Sequence, residues 1–240
     1  GCSMTLILRR PLGLTMAAVL LLANTSQSKK QPSLDWPRHG GDAAGSQYSP
    51  LAQITTENVQ RQKVAWTYRS SGRREDNRSQ IQCNPIVVNG ILYGTSARLE
   101  VFALDAGSGR AIWTFDPFEG SLSRNSQNVN RGVVYWAGSD DERILFTTGP
   151  TLYALNARTG KLLTGLGQAG KVDLRDGLGR EARHLFVHSR TPGAIYRDLL
   201  ILGTTVSEGP GPSAPGHIRA YDVRTGKVRW IFHTIPHPGE

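Results

Sequence analysis

Cysteine is scarce in this sequence, which has only Cys2 and Cys83 among its 240 residues. Because Cys2 precedes the first methionine, Met4, we expect it to be an upstream residue, which leaves Cys83 alone. A single cysteine cannot form an internal disulfide, and without a cluster of cysteine and histidine it does not make a zinc site. We therefore expect Cys83 to be a small buried residue.

A hydrophobic run long enough to span a bilayer, about 20 residues, is also lacking. The apolar run from Leu12 to Ala23 is shorter, follows the basic pair Arg9 and Arg10, and precedes small polar residues. This order is typical of a secretory signal peptide. We therefore expect residues 1–28 to comprise that peptide with a few upstream residues, and the protein to be exported. The alternative is a buried or uncleaved N-terminal helix.

Negative charge is in deficit, because 19 acidic residues stand against 28 Lys and Arg and give a formal net charge of +9. A basic chain can bind nucleic acid, but these basic residues are scattered along the sequence. The densest run, from Arg69 to Arg78, also contains Glu75 and Asp76. No aromatic residues alternate with basic ones as in proteins that stack bases. We interpret the charge as a solvated basic surface and expect no nucleic-acid partner.

Helical periodicity and several well-known catalytic motifs are absent as well. The only candidate helix beyond the N-terminal segment is the polar stretch from Thr55 to Gln62, which predicts one or two turns. No GxSxG, P-loop or GxGxxG motif occurs, so hydrolase, nucleotide-binding and nicotinamide-dependent functions have no support. The 27 Gly and 13 Pro are dispersed, which predicts many turns between short strands and an all-β fold.

One short pattern occurs three times: ALDAGSGRAIW from Ala103, ALNARTGKLLT from Ala154 and AYDVRTGKVRW from Ala220. The copies begin about 50 to 65 residues apart, which is the period of β-propeller blades with loop insertions. Each copy follows a β-rich run. The first of these runs, PIVVNGILYGTS, predicts two strands joined by a turn at Asn89 and Gly90.

Each copy predicts a strand, a tight turn and a second strand. Asp105 and Asp222 can accept hydrogen bonds from turn amides. A glycine at the same place in every copy can adopt positive φ: Gly109, Gly160 and Gly226.

Tryptophan ends two of the three copies. Trp113 and Trp230 are placed to pack on the next blade, whereas the middle copy has Thr164 there and is expected to dock more weakly. An earlier stretch, from Val64 to Gly72, predicts a leading strand. We therefore expect about four blades.

The pattern resembles the tryptophan-docking motif of the eight-bladed quinoprotein propellers, the pyrroloquinoline quinone (PQQ) dehydrogenases. Non-catalytic relatives, including outer-membrane assembly scaffolds, share such blades. Three more stretches resemble the dehydrogenases more specifically: DWPRHGGDAAGSQYSPLAQITTENV from Asp35, VNRGVVYW from Val129, and VSEGPGPSAPGHIRAYDVRTGKVRW from Val206. The resemblance covers residues 35–240. It implies that residues 29–240 are the N-terminal part of a PQQ-type propeller domain.

The resemblance implies a charged pair at the cofactor site. Arg131 matches the arginine that holds a carboxylate of PQQ, and a guanidinium suits a planar carboxylate. Glu208 matches the acidic ligand of the Ca²⁺ beside the quinone, and a hard cation prefers carboxylate oxygen. The alternatives are a salt bridge between loop and sheet for Arg131 and a solvent-facing loop glutamate for Glu208.

Three polar residues complete the implied cofactor site. Ser189 and Thr205 match positions that contact PQQ, with ordinary hydrogen bonding at strand ends as the alternative. Gln82 stands where several relatives have a glutamate, so its contact lacks the charge. Asn125 and Ser126 replace a cysteine pair of some relatives, which favours the sugar-oxidising branch.

The resemblance implies an enzyme of the membrane glucose dehydrogenase type that oxidises a sugar or alcohol and transfers electrons to ubiquinone or cytochrome c. The implied location is the periplasm, with or without membrane association. The family's catalytic aspartate lies in an H-H-D motif of a later blade, which this sequence lacks. We therefore expect no catalytic residue before residue 240 and an inactive chain. The alternative is a periplasmic scaffold propeller that binds proteins.

The six histidines form no ligand set by their spacing. His233 and His237 lie between prolines in a predicted loop. A surface or substrate-facing role is as consistent with this pattern as metal ligation.

Overall fold

Three antiparallel sheets of four strands form the framework, as the all-β prediction requires. The structure is a computed structural model that describes residues 35–72, 79–119, 129–179 and 182–239. The expected signal peptide, residues 1–28, lies outside them. Within the described ranges, no helix has the length and apolar character needed to cross a membrane.

Each sheet is a meander whose strands follow one another along the chain. The first sheet contains β1 (Ile86–Val88), β2 (Ile91–Thr95), β3 (Val101–Asp105) and β4 (Ala111–Phe115). The second contains β5 (Val134–Ala137), β6 (Glu142–Thr148), β7 (Thr151–Asn156) and β8 (Lys171–Asp173). The third contains β10 (Ala194–Tyr196), β11 (Leu199–Leu202), β13 (Ile218–Asp222) and β14 (Val228–Phe232).

The remaining elements are short. Two-residue strands, β9 (Val187–His188) and β12 (Thr205–Val206), pair with each other. The helix expected between Thr55 and Gln62 is a single 3₁₀ turn, Val59–Arg61, and a second one spans Ala182–His184. Near the N-terminus, Trp36 exchanges backbone hydrogen bonds with Val87 and so extends the first sheet beside β1.

The middle sheet is buried on both faces, and its sequence shows why. Successive side chains of a strand point to opposite faces. In β6, Ile144 and Phe146 pack toward the first sheet, whereas Leu145 between them packs toward the third. In β7, Tyr153 and Leu155 face the first sheet, and Leu152 and Ala154 face the third. Two apolar cores therefore flank one continuous hydrophobic sheet, as in stacked propeller blades.

The repeated turns form as their side chains predict. Asp105 Oδ1 accepts hydrogen bonds from the Ser108 amide at 2.8 Å and the Ser108 hydroxyl at 2.6 Å. Asn156 and Asp222 hold the corresponding threonines in the same way. The turn glycines have φ between 70° and 73°, a conformation that other residues rarely adopt.

Tryptophan side chains join these turns to the preceding part of the chain. The Trp113 indole donates to the Ala157 carbonyl at 3.0 Å, and its ring covers Gly160. The expected docking of Trp113 on the next blade is therefore confirmed. Trp66 docks on the first sheet in the same manner, by donating to the Ala106 carbonyl at 3.1 Å.

The second and third sheets dock without a tryptophan at the position of Thr164, and other residues take its place. Leu166 and Val172 cover the Gly226 turn, and the Gly167 amide donates to the Thr225 carbonyl at 2.9 Å. At the same junction the Trp136 indole donates to the Arg197 carbonyl at 3.1 Å. The middle copy therefore docks through aliphatic side chains and a backbone hydrogen bond.

Other residues depart from their expected settings. Residues 64–72, predicted as a leading strand, pair with no strand of the described ranges, although Trp66 docks. The described residues contain no sheet after the third, so the expected docking of Trp230 stays a prediction. Cys83 is half-buried rather than buried, and its Sγ accepts a hydrogen bond from the Thr95 amide at 3.2 Å. Burial raises the pKa of this thiol, which keeps it protonated.

We predict that Gly160→Ala destabilises the protein more than Gly90→Ala does. Both glycines have positive φ, so both substitutions strain the backbone, but a β-carbon at Gly160 would lie 2.6 Å from the Trp113 ring. Nothing lies within 4 Å of a β-carbon at Gly90. We expect a difference of about 1 to 3 kcal/mol in the free energy of unfolding, measured by urea denaturation. Equal losses would mean that the indole contact adds nothing.

Candidate functional site

The direction of the strands places all five predicted site residues at one end of the sheets. Gln82, Arg131 and Ser189 lie just before β1, β5 and β10, the first strand of each sheet. Thr205 and Glu208 lie between β11 and β13. Since β10 and β11 are antiparallel, this connection leaves the third sheet at the end where β10 begins. The docking turns lie at the opposite end.

A chain of backbone hydrogen bonds aligns the three sheets at this end. The Asn84 amide donates to the Arg131 carbonyl at 3.0 Å, and the Arg131 amide donates to the Arg190 carbonyl at 2.8 Å. These three residues lie two to four residues before the first strands of the three sheets. Arg131 is therefore held by both of its backbone polar groups at the centre of the chain of bonds.

Each residue of the Asn-Arg-Gly motif has a distinct role. The side chain of Asn130, which is 3% exposed, donates to the Thr147 carbonyl at 2.9 Å and accepts from the Gly132 amide at 2.7 Å. Gly132 has a φ of 143°, and a β-carbon there would lie 3.0 Å from the Asn84 carbonyl oxygen. Asparagine thus anchors the segment, and glycine permits the close approach of two backbones.

The Arg131 side chain is exposed at this anchored position. Within the described ranges, no carboxylate forms an ion pair with its guanidinium. The alternative interpretation, a salt bridge between loop and sheet, therefore has no support among those residues. An exposed guanidinium on a fixed backbone suits an external planar anion, because it can donate two parallel hydrogen bonds.

The contacts of Ser189 fit the alternative interpretation, ordinary hydrogen bonding at a strand end. Its side chain is 2% exposed, and its hydroxyl donates to the Gly203 carbonyl at 3.0 Å. Its amide donates to the Gly149 carbonyl, and its carbonyl accepts from the Thr147 hydroxyl at 2.8 Å. The polar groups of Ser189 are therefore used in joining the second and third sheets.

The two threonines after Gly203 differ in their surroundings. Thr205 is exposed and lies opposite His188 in the β9–β12 pair. The Thr204 hydroxyl oxygen is buried and has no hydrogen-bond partner among the described residues. A buried hydroxyl left without a partner is costly, so a bound polar group near this position would satisfy it.

Glu208 lies in the connection that follows Thr205. The Ser213 hydroxyl donates to the Ser207 carbonyl at 2.8 Å and so pins the chain beside Glu208. The carboxylate is exposed and forms no ion pair with any residue of the described ranges. Gln82 is also exposed, and its side-chain amide donates to Gln80 at 3.1 Å. The side chains of Glu208 and Gln82 are therefore both accessible at the end of the sheets where Arg131 lies.

Arg190 is a residue that the sequence interpretation missed. It is exposed, it precedes β10 as Arg131 precedes β5, and its carbonyl joins the two in the chain of backbone bonds. The sequence did contain a signal for Arg190, because it stands shortly before a predicted sheet, as Arg131 does. Two arginines on adjacent sheets make this end suitable for an anion with more than one carboxylate.

The donor set fits the cofactor and the cation that the resemblance implies. PQQ carries three carboxylates, which Arg131 and Arg190 can bind, and the unsatisfied Thr204 hydroxyl offers a further polar contact. The exposed carboxylate of Glu208 is the kind of hard oxygen ligand that Ca²⁺ prefers, and Ca²⁺ takes six to eight ligands in total. The chemistry of the described residues is therefore compatible with part of such a site.

Comparison with known proteins is consistent with this chemistry. Residues 36–240 match the family described as "PQQ: Glucose/ethanol/alcohol dehydrogenase, beta-propeller domain". Quinoprotein glucose dehydrogenase A of Acinetobacter calcoaceticus is 32% identical over 224 residues, 83% of this chain and 28% of that protein. The dehydrogenase subunit of the quinone alcohol dehydrogenase of Gluconobacter oxydans is 35% identical over 211 residues, 85% of this chain and 25% of that protein.

A solved structure also matches. The quinohemoprotein alcohol dehydrogenase of Comamonas testosteroni has a TM-score of 0.64 and 30% sequence identity, with 84% of this chain and 27% of that chain covered. The chain thus spans about a quarter of the length of the proteins it matches.

We predict that His188 makes the protein less stable as the pH falls through the range below 6.5. Burial lowers the pKa of His188 from its usual 6.5, and the nearby cations Arg190 and Arg175 lower it further. The unfolded chain then binds a proton that the folded chain resists, so this stability is present above pH 6.5 and lost below it. Urea denaturation at a series of pH values measures the effect.

The matched variants are His188→Gln, which should flatten the curve between pH 7 and 5.5, and His39→Gln, an exposed residue, which should not. An unchanged curve in His188→Gln would show that the imidazole titrates alike in both states.

Proposed function

Because the chain belongs to the quinoprotein glucose and alcohol dehydrogenases, we propose that it forms part of a PQQ- and Ca²⁺-binding propeller in an enzyme that oxidises a sugar or an alcohol. The observation that carries the proposal is the exposure of Arg131 and Glu208 at the same end of aligned sheets. The activity of the whole protein is part of the proposal, since the chain spans only a portion of its relatives.

Arg131 binds and orients the cofactor in this proposal. Its backbone is fixed by hydrogen bonds to Asn84 and Arg190, so the side chain that carries the guanidinium starts from a fixed point. Its fork can grip one carboxylate of PQQ, and Arg190 adds a second cation for another. Thr204 and Thr205 supply hydroxyls at the adjacent sheet. Ser189 positions these threonines by holding Gly203, and Gln82 adds an uncharged polar contact.

Glu208 contributes negative charge beside the cofactor. A carboxylate at this position attracts Ca²⁺ and offsets its charge, and the Ser213 hydrogen bond to Ser207 limits how far the carboxylate can move. Bound PQQ would supply an electron-accepting quinone, and bound Ca²⁺ would supply Lewis acidity beside it. The residues of this chain therefore bind and position. The general base is assigned to none of them.

The family supports a proposal for the class of substrate and of electron acceptor. Named relatives include glucose and alcohol dehydrogenases, and we propose a sugar of the glucose type or an alcohol as substrate. We further propose a periplasmic location and transfer of electrons to ubiquinone or cytochrome c. Asn125 and Ser126, on which the preference for the sugar branch rests, lie outside the described residues.

We predict that Arg131→Ala weakens PQQ binding by the whole protein. Loss of a charge-assisted pair costs about 1.5 to 3 kcal/mol, which corresponds to a roughly 10- to 100-fold higher dissociation constant. Titration with PQQ in the presence of Ca²⁺, followed by cofactor absorbance, measures it. Arg110→Ala is the matched control, because Arg110 is exposed in the turn between β3 and β4 at the opposite end. Equal weakening in both variants would remove Arg131 from the site.

We predict that Glu208→Gln weakens Ca²⁺ binding by roughly tenfold or more, because the amide keeps the shape and loses the charge. Isothermal titration calorimetry with CaCl₂ in the presence of PQQ measures the affinity. Asp140→Asn, in the turn between β5 and β6 at the docking end, is the control and should bind as the unaltered protein does.

Failure of PQQ and Ca²⁺ to bind the unaltered whole protein, which includes any part of the site outside these residues, would overturn the proposed cofactor site. The scaffold alternative, a propeller that binds partner proteins and no cofactor, would then be favoured.

A further inference from the structure

Three histidines that are distant in sequence meet at the edge of the third sheet. His217 lies directly before β13, His233 directly after β14, and His237 four residues later. One imidazole nitrogen from each lies within 4.8 Å of the other two. The rings of His233 and His237 are stacked with centroids 3.9 Å apart, and the His217 ring lies 4.6 Å from that of His233.

The sheet itself brings these residues together. In the antiparallel pair of β13 and β14, Ile218 lies opposite Phe232, so their outer neighbours His217 and His233 are also opposed. The Thr234 hydroxyl donates to the Gly216 carbonyl at 3.3 Å and ties the two segments just beyond the strands. Pro236 precedes His237 and restricts the backbone there. The cluster is thus built on regular structure and a constrained loop.

The burial of the three side chains is graded. His217 is 9% exposed, His233 is half-buried and His237 is exposed. An open depression of about 300 Å³ adjoins the cluster and is lined by Ile231, Phe232, His233 and Pro236. Because His237 is exposed and His233 lines this depression, an ion can reach the cluster from solvent.

We propose that His217, His233 and His237 form a binding site for a divalent transition metal of the zinc class. Neutral imidazole is a preferred ligand of Zn²⁺, and three histidines with one water complete a tetrahedral site. Zn–N bonds of 2.0 to 2.1 Å would place the three ligating nitrogens about 3.3 Å from one another. The imidazole side chains would therefore rotate when the ion binds, which brings these nitrogens closer together. Ca²⁺ prefers oxygen and would not compete.

The ion would cross-link the start of β13 to the segment after β14. Since β14 is the outer strand of its sheet, this cross-link ties that strand to its neighbour at one end. The site is separate from the proposed PQQ and Ca²⁺ residues in its ligand chemistry. It does not depend on the dehydrogenase proposal.

The test measures Zn²⁺ binding to the 240-residue protein, prepared without a polyhistidine tag, by isothermal titration calorimetry in buffer containing CaCl₂ and no PQQ. We expect one Zn²⁺ per chain. Co²⁺ in its place should give the visible absorption of a four-coordinate ion, and Zn²⁺ should raise the melting temperature.

Ligand variants identify the site. His233→Gln and His237→Gln should each weaken Zn²⁺ binding at least roughly tenfold, since even outer-sphere changes cost that much. His39→Gln and His184→Gln, both exposed and outside the cluster, are matched controls that should bind normally. His237 is exposed, so its variant should fold, and circular dichroism verifies this.

Two results would overturn the proposal: no stoichiometric Zn²⁺ binding, or equal weakening in the ligand and control variants. Arg131→Ala and Glu208→Gln separate this site from the cofactor site, because they should leave Zn²⁺ affinity unchanged. Zinc binding that disappears in these two variants would show that the cluster is not an independent site.

Discussion

The contact between an aromatic or aliphatic side chain and the glycine turn of the next sheet is the interaction on which the structure depends. The turn needs positive φ and a flat, open face, and glycine provides both. At Gly160 a β-carbon would collide with Trp113, so the missing side chain is what allows the indole to lie close. The indole also reaches a carbonyl of the same turn, which fixes the position of one sheet on another.

Docking at one end leaves the other end available for polar chemistry. The indoles of Trp66, Trp113 and Trp136 all donate to carbonyls in turns at the docking end. At the opposite end, the sheets are aligned by backbone hydrogen bonds through Arg131, which use no side chain. Arginine, threonine and glutamate side chains there remain accessible to a ligand. In the proposed function, packing and ligand binding therefore use different ends of the same strands.

Local patterns predicted the features that local physics controls. The turns at Asp105, Asn156 and Asp222 follow from side-chain oxygens and nearby glycines, and the sequence was sufficient for them. The docking of Trp113 was also predicted, from its place at the end of the repeated pattern. The two-sided burial of the middle sheet could be read from the continuous apolar runs of β6 and β7 only after their neighbours were known. The position of Arg131 was predicted by resemblance, whereas its anchoring by Asn130 required the structure.

Properties that depend on pairing between distant segments could not be predicted in this way. The hydroxyl of Ser189 is used by Gly203, and the Gly226 turn is covered by Leu166 and Val172, because the fold brings these residues together. The histidines give the sharpest example. Spacing along the chain separates His217 from His233, but a strand and its antiparallel partner return to the same end. The spacing of histidines along the sequence indicates only the loop pair His233 and His237. The register of β13 and β14 adds His217 as the third member of the cluster.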